Sequence, residues 1–161
     1  MLKLEASTLI NRPVQEVWDF FIDLTNSPKW TRSGSELRQT SAGPPGVGAT
    51  IESIRPMFGR EIKSQRIVVT QYEPGRLISF DADAPLLGHA AQTLTFETAT
   101  GGTRLAREAQ LGLGRAERLL GPLLLRVLRS SWGTEMSNLK RLIEPVPDES
   151  HHHRGRSLRA S

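Results

Sequence analysis

The sequence contains no cysteine among its 161 residues. That absence excludes a disulfide-stapled scaffold, a thiolate metal site and cysteine catalysis, and it suits a reducing compartment. Missing as well is any uninterrupted apolar run near the roughly 20 residues a membrane-spanning helix needs. The N-terminal MLKLEASTLI lacks the layout of a signal peptide, so a soluble cytoplasmic protein without stable membrane insertion is expected. There is no glycine-rich phosphate loop, no HExxH pair and no nucleophile, base and orienter set, and Gly112-Leu113-Gly114 is too short to count. These gaps disfavour nucleotide-dependent and metallohydrolase chemistry, so neither a metal nor a cofactor is expected.

Acidic residues are outnumbered, 17 against 21 Lys and Arg, for a formal net charge of +4. Because Arg154, Arg156 and Arg159 sit in the last few residues, the rest of the chain is close to neutral and no nucleic-acid partner is expected. The length fits one domain with a proper core and room for a pocket. Its expected bounds are 1–145, followed by a disordered basic tail over 146–161 that is short of apolar residues. His151 to His153 fall in that tail and receive no functional weight.

Periodicity supplies the elements. Leu2 to Ile10 alternates as a half-buried strand, with Leu2, Leu4, Ala6 and Thr8 on one side. Asn11 is placed to lead a helix with Pro13 in its first turn, and Val14, Val17, Trp18 and Phe21 recur at i, i+3, i+4 and i+7. Thr25 to Trp30 reads as a turn or a second short helix, with Trp30 closing over the core. Strands are then expected near Glu36–Thr40, Ala49–Pro56, Arg60–Tyr72, Leu77–Ala82, His89–Glu97 and Thr103–Leu113, separated by Gly/Pro turns that make consecutive hairpins. From Arg115 to Ile143 the chain is leucine-rich, and Leu128, Trp132, Met136, Leu139 and Ile143 share one helical face. Gly121-Pro122 should break or kink this run, leaving a main helix from about Pro122 to Glu144. The fold class is therefore α+β: an antiparallel meander gripping one long C-terminal helix, with two short helices after the first strand.

The stretches INRPVQEVWDFFIDLTNSPKW, VTQYEPGR and SNLKRLIE resemble the START-like, Bet v 1-like (SRPBCC) superfamily, and within it the polyketide cyclase/dehydrase group. The resemblance covers roughly residues 2 to 144. It implies a helix-grip fold with a hydrophobic cavity between the sheet and the last helix, a fold whose members bind lipids, sterols, plant hormones or polyketides and in some cases catalyse cyclisation or dehydration. It also implies that Pro56-Met57-Phe58-Gly59 and Pro85-Leu86-Leu87-Gly88-His89 cover the cavity mouth.

In such a cavity the wall is expected to come from Trp30, Ile54, Phe58, Phe80, Leu87, Leu94, Phe96, Leu125, Leu128, Trp132 and Met136, with few polar groups to orient a ligand. Arg107 is the clearest of these, because it shares a strand face with Leu105, Ala109 and Leu111. Pointing inward it could hold a carboxylate or polarise a carbonyl; at the rim it would snorkel out or pair with an acid. Gln92 shares a face with Leu94 and Phe96. His89 and Asp81, the latter on one face with Asp83, are weaker catalytic candidates, since a general base needs a positioned partner.

Three functions remain open at this level. The first is binding or carriage of a small apolar or amphipathic ligand, lipid or polyketide-like. The second is a polyketide cyclase or dehydratase-type enzyme, a lyase or isomerase using the same cavity. The third is a protein-interaction module, such as a homodimer, built on the leucines from Leu119 to Leu128, which cover more of the helix than one sheet can bury.

Overall fold

The computed structural model describes residues 2–84 and 88–144. Leu87, the rest of 85–87 and the 146–161 tail lie outside the described residues. Seven strands, β1 Leu2–Ile10, β2 Glu36–Gln39, β3 Thr50–Met57, β4 Arg60–Glu73, β5 Leu77–Ala84, β6 Gly88–Ala99 and β7 Gly102–Gly112, form one antiparallel curved sheet in the order β1-β7-β6-β5-β4-β3-β2. Strands β2 to β7 are the expected meander, and β1 closes against β7 with Leu4 opposite Ala109 and Ala6 opposite Arg107.

Between β1 and β2 come α1 Val14–Ile22, a 3-10 turn Leu24–Asn26 and the short α2 Ser27–Trp30. Pro13, not Asn11, caps α1. The backbone N–H of Asn11 instead donates to the Glu144 carboxylate, which ties the β1–α1 corner to the end of the last helix. Buried Ser27 links α2 to β2: its hydroxyl donates to the Leu24 carbonyl at 2.6 Å and accepts from the Leu37 N–H at 2.8 Å. At the β6–β7 turn Gly102, with φ 148°, lies so close to Ile10 and Asn11 that an added Cβ would strike the Ile10 carbonyl at 2.1 Å, so only glycine lets this turn pack under the corner.

The last helix, α3, runs from Glu117 to Ile143. The expected break at Gly121-Pro122 is not there. Pro122 lies in the second turn of an uninterrupted helix, where its fixed φ suits the helix and the cost is one lost hydrogen bond and crowding of the carbonyl four residues back. Downstream packing outweighs that loss: Trp132, Met136, Leu139 and Ile143 are buried, as the spacing requires, and α3 lies along β1 and against α2.

The core sits at the α1 end of the sheet. Trp18 is 2 % exposed and meets Tyr72 and Phe96 edge-on, with ring centroids 5.5 and 5.0 Å apart. Ile10, Val17, Leu94, Leu105, Leu139 and Ile143 belong to this cluster, as do Trp30, Ala49, Val69, Ile78 and Met136 toward the helix and the middle of the sheet. A smaller one, Leu4, Ala109 and Trp132, with Leu125 and Leu128 packed on it, joins α3 to β1 and β7. Between the packed end and the β3–β4 hairpin the helix and the sheet part.

Candidate functional site

A cavity of about 680 Å³ occupies that gap. It is walled by the concave side of the sheet, the segment around α2 and the inner face of α3. Alternation along the strands decides which side chains reach it. On β5, Ile78 and Phe80 point in, so Asp81 and Asp83 point out. On β6 the inward residues are Ala90, Gln92 and Leu94, and on β7 they include Arg107 and Leu111.

Of the wall residues expected from sequence, the structure brings eight to the cavity: Trp30, Phe80, Gln92, Leu94 and Arg107, and from α3 Leu128, Trp132 and Met136. It places the others elsewhere. Phe96 is inward but spent in the aromatic core with Trp18 and Phe21. Ile54 is buried, but alternation along β3 gives the wall to Ile51, Ser53 and Arg55, and the extra residue at the register shift is Ser64 on β4. Leu125 is turned onto Leu4, Ala109 and Trp132. Phe58 stands at the tip of the β3–β4 hairpin with φ 52° and 97 % exposure, away from the wall. Leu87 lies outside the described residues.

Polar side chains are spread over the wall, Arg32, Arg55 and several serines among them, and three of them, Gln92, Arg107 and Glu135, form one connected group. Arg107 donates from Nε and Nη2 to Gln92 Oε1 at 3.2 and 2.9 Å. Its guanidinium carbon lies 3.9 Å from the Trp132 ring centroid, and Nη1 faces Glu135 Oε2 at 3.6 Å. Thus Arg107 points inward and finds an acid there. Both side chains are sparsely exposed, 14 % for Arg107 and 15 % for Glu135. Burial lowers the Arg107 pKa, with the Glu135 charge opposing, and the guanidinium stays charged at neutral pH. Burial likewise raises the Glu135 pKa above the ordinary 4.5, against the pull of Arg107, Ser131 and Arg32.

Trp30 lines the cavity, and its buried Nε1 has no hydrogen-bond partner among the described residues.

Glu135 was missed in the sequence, although the signal was present. Leu128, Trp132, Glu135 and Leu139 recur at i, i+4, i+7 and i+11, so the carboxylate falls on the apolar face of α3. The same rule that singles out Arg107 on an apolar strand face applies to it.

The weaker catalytic candidates are on the wrong side of the sheet. Asp81, Asp83 and His89 form an exposed cluster, with His89 Nδ1 3.0 Å from Asp83 Oδ1 and Nε2 3.8 Å from Asp81 Oδ2. The Asp83 hydrogen bond raises the His89 pKa from its ordinary value. Their outward register removes them from any chemistry in the cavity.

Residues 1–144 match the family described as "Polyketide cyclase / dehydrase and lipid transport". No curated protein matches the chain in sequence. Among solved structures, TTHA0849 from Thermus thermophilus is similar at 14 % identity and TM-score 0.68, over 88 % of this chain and 97 % of that one. Ara h 8.0201 is similar at 12 % identity and TM-score 0.69, over 88 % and 97 %. DynU16, from the dynemicin biosynthetic locus, is similar at 20 % identity and TM-score 0.65, over 89 % of this chain and 47 % of that one. At these identities the likeness is one of fold, and the fold is the Bet v 1-like helix grip.

Proposed function

The chain belongs to the polyketide cyclase / dehydrase and lipid transport family, and on that premise we propose that it binds and carries a small apolar or amphipathic ligand in its central cavity. The observation that carries this reading is the cavity itself. Its volume of about 680 Å³ falls within the range of small-molecule sites, and its wall is predominantly apolar, with Gln92, Arg107 and Glu135 converging at one place. Trp30, Phe80, Leu94, Leu128, Trp132 and Met136 would hold the body of the ligand, and Gln92, Arg107 and Glu135 its polar end.

Ligand-dependent unfolding tests this. A ligand present at 100 times its Kd adds about 2.7 kcal/mol, which raises Tm by roughly 5–10 °C for a domain of this size. Trp132 fluorescence should change with it. A purified sample that yields no extractable lipid, and neither gains Tm nor changes fluorescence with a panel of fatty acids, sterols and aromatic polyketides, would sink the idea.

A cyclase or dehydratase-type reaction in the same cavity remains the alternative use of these groups. With Asp81 and His89 outside, it would have to rely on Arg107, Gln92 and Glu135.

One further observation favours a second reading. Leu119, Leu123 and Val127, 84, 64 and 50 % exposed, recur at i, i+4 and i+8 on the outer face of α3, with Leu120 at 55 % beside them. An apolar stripe of this kind suits contact with another copy of the chain. If it does so, Leu123→Glu should abolish a concentration-dependent rise in mass seen by light scattering. A wild-type protein that stays monomeric across the whole concentration range rules this contact out.

A further inference from the structure

The β3–β4 hairpin ends in a two-residue turn, Phe58-Gly59, with φ 52° and 72°. A tight turn between right-twisted strands needs both values positive, and its first position favours asparagine or glycine, which tolerate the left-handed region. Phe58 occupies that position with steric strain and with its ring almost wholly in water. Neither local conformation nor burial explains a phenylalanine there. Its neighbours repeat the pattern. Met57 lies opposite Arg60 and Arg55 opposite Ile62, so these four share one face of the hairpin, which continues the cavity wall that Arg55 joins. All four are exposed. Over residues 55–66 the cations Arg55, Arg60, Lys63 and Arg66 stand against one acid, Glu61. Glu61 is drawn to Arg38 at 3.7 Å and Lys63 to Glu52 at 3.0 Å, whereas Arg55 and Arg60 have no acidic partner among the described residues.

An apolar tip collared by unpaired guanidinium groups fits a surface that is anionic outside and apolar beneath. A soluble polyanion would take the cations but leave Met57, Phe58 and Ile62 in water, and a second copy of the hairpin would bring like charges together. We propose that the β3–β4 hairpin docks the protein on an anionic lipid surface, with Phe58 and Met57 entering the interface and Arg55 and Arg60 on the lipid phosphates. So small a tip gives reversible, peripheral attachment. The proposal stands on the hairpin alone and does not require the cavity to hold a ligand.

Sedimentation of the full chain with vesicles tests this, comparing equal parts phosphatidylglycerol and phosphatidylcholine with phosphatidylcholine alone. The wild type should bind the anionic vesicles and release them as salt is raised. Phe58→Asn suits the turn, so it should keep or raise Tm while weakening vesicle binding about tenfold. Arg60→Gln should weaken binding about fivefold. A wild type with no preference for anionic vesicles would overturn the proposal. Binding that both substitutions leave unchanged would overturn it too, and would assign the attraction to cations elsewhere, such as Arg154, Arg156 and Arg159. A Phe58-dependent rise in mass without lipid would overturn it in favour of a second copy of the chain.

Discussion

Arg107→Met alone is expected to lose about 3–5 kcal/mol of unfolding free energy, whereas Arg107→Met/Glu135→Leu should return to within about 1 kcal/mol of wild type or exceed it. The single substitution strands a carboxylate that is 15 % exposed and keeps only Ser131 and the more distant Arg32 as favourable partners. The double substitution removes both charges and fills similar volume with apolar groups. Urea denaturation of the four corners of this cycle measures the coupling. Equal losses in the single and double variants would mean that the pair is hydrated from the cavity and contributes packing alone.

The same stranded carboxylate makes the loss depend on pH. Burial already holds the Glu135 pKa above its ordinary 4.5, and deleting Arg107 removes the strongest opposing pull. For a group whose folded pKa is raised, the stability it contributes is complete below the unfolded value and is lost as pH rises through the folded value. The deficit of Arg107→Met relative to wild type should therefore be small near pH 4 and full at neutral pH. A deficit that does not change between those pH values would place its cause elsewhere.

Trp18→Ala should cost about 3–5 kcal/mol, a large part of the 5–15 kcal/mol that typically holds a domain folded. Trp18 is 2 % exposed, and its ring is the shared edge partner of Tyr72 on β4 and Phe96 on β6, so its loss opens a void between α1 and the sheet. Trp18 itself is not on the cavity wall, although Tyr72 beside it is, so ligand affinity in any variant that still folds should change less than stability. Thermal unfolding together with binding separates the two. A loss under 1 kcal/mol would show that the site collapses without a void.

Much of this was legible beforehand. Trp18 could be placed in the core from the spacing of Val14, Val17, Trp18 and Phe21, and the inner face of α3 from Leu128 through Ile143, because helical burial repeats every 3.6 residues whatever lies opposite. Strands were harder. Ile54 shows why: Ile51, Ser53 and Arg55 face the cavity and Ile54 lies on the other face of β3, and composition alone does not tell which face of such a strand meets a void. Pro122 was misjudged for a related reason, since propensity weighs one lost bond without the contacts that hold α3 in place.

By itself, then, the sequence determined the order of elements, the fold class and the inward faces of α1 and α3, since these follow from periodicity and turn chemistry within each segment. Only the tertiary structure decided which inward residues meet empty space and which meet each other. Phe96 and Phe80 both lie on inward strand faces, yet Phe96 packs on Trp18 while Phe80 borders the cavity. Arg107 and Glu135, far apart in the chain, become partners because β7 and α3 face one another across that cavity. Pairing and void depend on distances between elements, which no periodicity within one element contains.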